Sequence, residues 1–274
     1  MRKGCFVIWT LIAVFVVLFP LTVFATNGQE EKDDAGTAST KRKTDDKHEK
    51  TFRGDSALQD KKQLVSANMP VYKPPLRGAP KGRVGGGTRG IGDQLVTLSV
   101  LVPDHVALTS QEQPTLYWYL STLTAYPVEL TVIEEEAIYP LAEKRLSPPV
   151  GPGIQQIRLK DYDVYIDPGK QYRWFVAVIP DADRRSKDVL SGGMIERVEL
   201  SDAVRVKLRQ AKKEAVPFIY AEEGIWYDAL TALSELIDDR PDDPDLRNQR
   251  ASLLEQAGLT EVTEDLMKQR VQPK

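Results

Sequence analysis

Thiol and imidazole chemistry are nearly missing from this sequence of 274 residues, which has one cysteine, Cys5, and two histidines, His48 and His105. Cys5 falls inside the first apolar run, so the rest of the chain has no thiol. That excludes disulfide staples, thiolate metal sites and a cysteine nucleophile from the folded part. Clustered positive charge is missing too, because 37 basic residues are spread among 40 acidic ones for a formal net charge of −3. Binding to nucleic acid by counterion release needs grouped Lys and Arg, so nucleic acid is not an expected partner. No cofactor motif and no set of metal ligands stands out, so none is expected and no catalytic residue is assigned.

What the N-terminus does have is an export pattern. Met1, Arg2 and Lys3 make a short basic start, residues 5–19 are apolar, and Pro20 breaks the run. Val23 and Ala25 then occupy the small-residue positions a signal peptidase needs, so residues 1–25 are expected to be a signal peptide cut after Ala25. The alternative is an anchor over residues 6–25, long enough for a hydrocarbon core of ~30 Å if Pro20 is tolerated. Both readings place the remainder outside the cytoplasm, periplasmic or secreted. Membrane contact is expected only through this segment, if it is retained. Cys5 lies too early in the run to be a lipid-attachment site.

Residues 26–70 are rich in Lys, Asp, Glu, Thr, Gln and Ser, with few large apolar side chains. Such a stretch cannot bury enough surface to offset the entropy of ordering and is expected to be a disordered tether. The basic triplet Lys41-Arg42-Lys43 has Asp45, Asp46 and Glu49 beside it, which favours a solvated linker over an anionic-surface contact. Residues 71–94 form a lead-in rich in Pro and Gly. Within it Gly85, Gly87 and Gly90 satisfy G-x-G-x-x-G, but prolines precede them and a strand-like run follows. A dinucleotide fingerprint must leave a buried strand and open a helix, so a flexible loop is the expectation here.

From residue 95 to 200 the chain consists of short apolar or alternating runs with Pro, Gly and Asp between them. Strands are expected over 95–102, 115–121, 128–133, 154–159, 171–179 and 194–200. With no helical pattern among them, they favour an antiparallel sandwich. In Ile166-Asp167-Pro168-Gly169-Lys170-Gln171-Tyr172 the spacing resembles the tyrosine corner of fibronectin-type sandwiches, in which a phenol ties a loop to the strand it begins. Tyr172, Trp174, Val176 and Val178 then share one face of a central strand, and Trp118 is the candidate tryptophan between the sheets.

After Leu200 the period becomes helical. Ser201 or Asp202 can cap a helix running to about Lys213, interrupted by Pro217; a second is expected over 221–238, a third over 244–257 closed by Gly258, and a last short one capped by Thr260. Gly224, Ala229 and Pro241 sit at tetratricopeptide offsets, and Gly258 follows Gly224 by 34 residues. The fold class expected is therefore mainly β with a C-terminal α module over 201–270. In finer terms it is an antiparallel immunoglobulin- or fibronectin-like β-sandwich followed by a helical hairpin resembling one to one and a half tetratricopeptide units.

Several of these residues together resemble a bacterial family catalogued as domain of unknown function 928. They are the Pro74-Pro75 to Pro80 segment, the Gly85 to Gly90 run with Arg89, Leu101-Val102-Pro103, Pro114 with Tyr117-Trp118-Tyr119, Tyr172-Arg173-Trp174, and Gly224-Ile225-Trp226-Tyr227-Asp228-Ala229-Leu230. The resemblance covers roughly residues 74–259 and implies no activity or catalytic residue to transfer.

Of the two histidines, His48 lies in the tether and His105 follows Asp104, but neighbours along a strand point to opposite faces, so a surface turn is the plainer reading. Paired carboxylates of the kind a glycosidase needs could be assembled from Glu134, Glu135, Glu136, Asp161, Asp163 and Asp167. Solvated charges flanking strands explain them as well. Tyr117 and Tyr119 could line a ligand-binding sheet face, and Trp226 and Tyr227 could mark a partner contact on the helices; aromatics of this kind are more often core. The expectation is an exported cell-envelope protein, a non-catalytic interaction or structural module with an envelope protein partner. The alternative is binding or hydrolysis of envelope carbohydrate.

Overall fold

Short runs of Val, Leu, Ile, Tyr and Trp punctuated by turn residues give strands of two to nine residues once they can pair, and the helical period takes over where Ala, Leu and Glu dominate. The computed structural model describes residues 69–75, 82–91, 94–146, 148 and 150–271. Residues 1–25, expected to be a signal peptide, and residues 26–68 of the expected tether lie outside the described residues. Among the described residues no helix is long and apolar enough to cross a membrane.

Among the described residues, ten strands form two sheets. The first sheet runs in the order β1 (Val84–Gly85), β10 (Val189–Arg197), β9 (Gln171–Val178), β6 (Val128–Glu134) and β7 (Ala142–Leu146), with β4 (Ala107–Thr109) also paired to β10. The second runs β2 (Gly87–Ile91), β3 (Gln94–Val100), β5 (Thr115–Leu120) and β8 (Gly153–Arg158). Every pairing is antiparallel except β4 with β10, which is parallel because the chain leaves β3 in one sheet and enters β4 in the other.

All six expected strands are present, and four more join them. The lead-in expected to be a loop supplies β1 and β2. Gly85, Gly86 and Gly87 have φ of 66°, 86° and 103°, and they carry the chain from β10 in one sheet to β3 in the other. Three successive residues at positive φ need glycine, so this run is a corner between sheets. Because it leads into strand β2, the dinucleotide reading fails on its own structural requirement.

On β9, Tyr172, Trp174, Val176 and Val178 are buried, and the strand lies between β10 and β6. The Tyr172 hydroxyl accepts a hydrogen bond from the Asp167 amide at 3.1 Å, fixing the loop to the strand it begins. Trp118 is 1% exposed and belongs to the same core cluster as Trp174.

Among the described residues, five α-helices follow: α1 (Asp202–Gln210), α2 (Val216–Glu222), α3 (Trp226–Asp239), α4 (Pro244–Gln256) and α5 (Thr260–Val271). The Ser201 hydroxyl caps α1 by accepting from the Val204 amide, and Pro217 starts α2 instead of interrupting a helix, since proline lacks only an N–H that the first turn leaves free. Residues 221–238 are not one helix. After α2 the Ile225 amide returns to the Tyr220 carbonyl at 2.9 Å and the Gly224 amide to the Ala221 carbonyl at 3.1 Å, with Gly224 at φ 74°. After α4 the Leu259 amide returns to the Leu254 carbonyl at 3.0 Å and Gly258 to Glu255 at 2.9 Å, with Gly258 at φ 72°. These are the same left-handed cap used twice. The helices therefore fall into two pairs, α2–α3 and α4–α5.

Candidate functional site

Helix α3 opens with Trp226, Tyr227 and Asp228, all buried, and each reaches a different part of the β structure. Trp226 Nε1 donates to the Leu101 carbonyl at 2.9 Å. Tyr227 accepts from Trp174 Nε1 at 2.8 Å and donates to the Met194 carbonyl at 3.1 Å, so one hydroxyl links β9 and β10 to the helix. From the second sheet, the Tyr117 hydroxyl lies against Thr231 and Ser234 of α3, and that of Tyr119 donates to Asp265 and accepts from Gln269 Nε2 on α5. Burial raises the phenol pKa of all three tyrosines, which keeps them neutral donors.

Tyr117, Tyr119, Trp226 and Tyr227, the four residues singled out as partner or ligand contacts, are thus between 0 and 4% exposed. As placed they join sheets to helices within this chain, with Tyr227 at the wall of a cleft and the Trp226 ring against Tyr72.

Asp228 is 5% exposed and gathers the turn after β4. It accepts from Thr109 Oγ1 at 2.7 Å, the Ser110 amide at 3.1 Å, Ser110 Oγ at 2.5 Å and Gln111 Nε2 at 3.1 Å. A carboxylate offers about four lone-pair directions, so these four donors occupy it. Its position was visible as part of the Trp226-Tyr227-Asp228 run, but nothing in the sequence links it to residues 109–111.

Beside Asp228 a cleft of about 390 Å³ opens between the two structural layers. The end of β8 and the 3-10 turn after it supply Arg158 and Lys160, the β4–β5 connection supplies Gln111 and Gln113, α2 supplies Tyr220, and α3 supplies Thr231 and Glu235. Burial, and then the Asp228 charge, raise the Tyr220 pKa. Two cations, two amides and a carboxylate among its lining side chains suit a small polar ligand. Within the lining the Thr109 hydroxyl donates to Asp228 at 2.7 Å, a contact that belongs to the turn Asp228 gathers.

The residues weighed for acid–base chemistry are dispersed. Asp104 accepts from the Arg83 amide at 3.4 Å, while His105 Nε2 faces the Tyr72 hydroxyl at 3.3 Å and its Nδ1 faces the Val106 carbonyl at 3.2 Å. Burial lowers the His105 pKa, with Asp104 pulling it upward. Glu134 and Asp167 both pair with Lys170, and Glu135 pairs with Arg173. Glu136 and Asp161 are exposed, and Asp163 stands at φ 58° where it ends the 3-10 turn. His48 lies outside the described residues. Among the described residues no group of three or more His, Cys, Asp or Glu could hold a metal ion.

Two sheets closed by docked helical pairs, with a polar cleft at the junction, define a mainly antiparallel β protein with a C-terminal α module. The chain belongs to the family described as Domain of Unknown Function (DUF928), whose profile matches residues 84–267. No curated protein matches the chain. Among solved structures, the crystal structure of a multi-domain immunophilin from Arabidopsis thaliana is similar at 7% identity, covering 70% of this chain and 100% of that one, with a TM-score of 0.15. At that score the likeness carries no argument about fold or activity.

Proposed function

We propose that this is an exported, non-catalytic module of the cell envelope that docks a protein partner through its helices. The sheets serve as an immunoglobulin- or fibronectin-like sandwich, and the helices as one to one and a half tetratricopeptide-like units. The observation that carries the reading is the repeated cap: Gly224 and Gly258, 34 residues apart, turn two consecutive helix pairs in the same way. Stacked helix pairs are a common platform for protein recognition. The engagement of Asp104, His105, Glu134, Glu135 and Asp167 in local pairs supports a non-catalytic role.

The test is capture from envelope extract by the intact chain against a variant with Val206→Asp and Met267→Asp, two half-exposed apolar positions on α1 and α5. A partner recovered stoichiometrically by the intact chain and lost with the variant is the expected result. Equal recovery by both removes the helices from the reading. N-terminal mass spectrometry separates a free module beginning at Thr26 from one anchored by residues 6–25.

The second reading, carbohydrate binding, rests on the cleft beside Asp228 and its rim of Arg158, Gln113 and Glu235. Glycan-array binding abolished by Arg158→Ala with Glu235→Ala, in a folded chain, promotes it; an array without signal removes it.

A further inference from the structure

Residues 69–75 run extended along the helices, and their contacts are those of a bound peptide. Tyr72 is 8% exposed, while Val71 beside it is 59% exposed, so one side chain is inserted and its neighbour faces out. The Tyr72 ring meets Trp226 edge-on at 5.0 Å and stacks on His105 at 5.8 Å. A single glutamine reads the backbone: Gln256 Oε1 accepts from the Tyr72 amide and its Nε2 donates to the Pro70 carbonyl, both at 2.8 Å. The Lys73 amide donates to the Ala221 carbonyl at 3.0 Å, and its ammonium pairs with Glu222 at 2.7 Å.

The groove is shaped for a backbone as well as for a ring. At Gly224 an added Cβ would stand 2.6 Å from the Lys73 carbonyl oxygen and 3.4 Å from Pro75 Cδ, so the absent side chain lets the segment lie against the α2–α3 turn. The segment has prolines at 70, 74 and 75, which have no amide to satisfy and hold the chain extended at low entropic cost. Two of the amides between them, those of Tyr72 and Lys73, are the ones the groove accepts. Backbone pairing plus one deep aromatic anchor is the usual division of labour in recognition of extended peptides.

We propose that the groove formed by α2, the α2–α3 turn and α4 is a recognition site for an extended segment of the pattern Pro-x-Tyr-Lys-Pro, which residues 70–74 occupy in cis and a partner segment of the same chemistry enters by displacing them. The inference rests on the reading that the helices dock a protein partner, and gives that partner's chemistry: an aromatic side chain for the His105–Trp226 slot, a cation next to it for Glu222, and flanking prolines. The resident segment is an internal competitor, and a tethered segment of this kind acts at an effective concentration on the order of millimolar.

The probe is a labelled peptide of the sequence Met-Pro-Val-Tyr-Lys-Pro-Pro, followed by fluorescence anisotropy against the full chain and its variants. Lys73→Glu sets two carboxylates against each other and loosens the segment without touching the buried ring; Tyr72→Ala removes the anchor. The expected result is peptide binding at least about threefold tighter than wild type for Lys73→Glu and about tenfold tighter for Tyr72→Ala, in line with relief from a tethered competitor. Adding Gln256→Ala to either variant should reverse the gain. Folded variants that bind no better than wild type, or a gain indifferent to Gln256→Ala, overturn the proposal, and if Tyr72→Ala does not fold the Lys73→Glu result decides. Either failure leaves capture through Val206 and Met267 intact as a separate readout. Equal capture by the intact chain and the Val206→Asp, Met267→Asp variant, with the peptide gain preserved, would remove the docking reading and leave the site.

Discussion

Asp228 shows what one side chain contributes to this protein. With four donors from Thr109, Ser110 and Gln111 on a buried carboxylate, its removal strands several polar groups at once. Asp228→Ala should cost about 3 kcal/mol of stability in urea denaturation, within the range for lost bonds to a buried charge. A loss under about 1 kcal/mol would mean that water replaces the carboxylate and that the turn is not held by it. The two capping glycines offer a paired comparison. Both stand in the left-handed region, but a Cβ added at Gly224 would meet backbone, 2.6 Å from the Lys73 carbonyl oxygen, whereas one added at Gly258 would meet only Arg83 Nη2 at 3.9 Å. Gly258→Ala should cost about 1 kcal/mol from the unfavourable φ alone. Gly224→Ala should cost clearly more and should speed hydrogen exchange at the Lys73 amide. Equal losses, with that amide still protected, would contradict the close approach.

Among the elements, α3 bridges both sheets, and the Tyr227 hydroxyl is the link most exposed to test because it both accepts from Trp174 and donates to Met194. Tyr227→Phe removes no apolar surface but leaves two buried groups unpaired, so a loss of about 2 kcal/mol is expected from chemical denaturation. A loss near zero would show that the seam is held by packing alone. The sequence made the six longer strands legible, since β6 and β9 carry apolar alternation and β5 is a short continuous apolar run. It could not reveal β1 and β2, whose glycines have no side chains to show a period, or β7, whose Glu143, Lys144 and Arg145 read as a charged loop while protecting a sheet edge. The 34-residue spacing of Gly224 and Gly258 was readable, yet a helix over 221–238 was expected because Ile225 continues the apolar stripe that the cap in fact interrupts. The roles of Tyr117, Tyr119, Trp226 and Tyr227 were not readable, because their partners lie from 33 to 150 residues away along the chain.

For the molecule as a whole, sheets and helices share one core cluster running from Tyr72 to Val262, and His105 sits beside its N-terminal end. Burial holds the His105 pKa below its ordinary value of 6.5. The unfolded chain therefore takes up a proton at a pH where the folded chain does not, and stability falls as pH drops through that value toward the lower folded pKa. The urea midpoint should decline between about pH 7 and about pH 5.5 in the wild type, with a shallower decline in His105→Gln. Identical slopes would remove His105 from the acid response. The central claim is that the aromatic seam makes the helices part of the same cooperative unit as the sheets, leaving the outer helical faces and the groove holding residues 70–74 for partners. Native-state hydrogen exchange tests it most directly. The account predicts that amides of α3 and of β9 open together with the global unfolding free energy; α3 amides exchanging far faster than those of β9 would show a helical module that opens by itself and would contradict it.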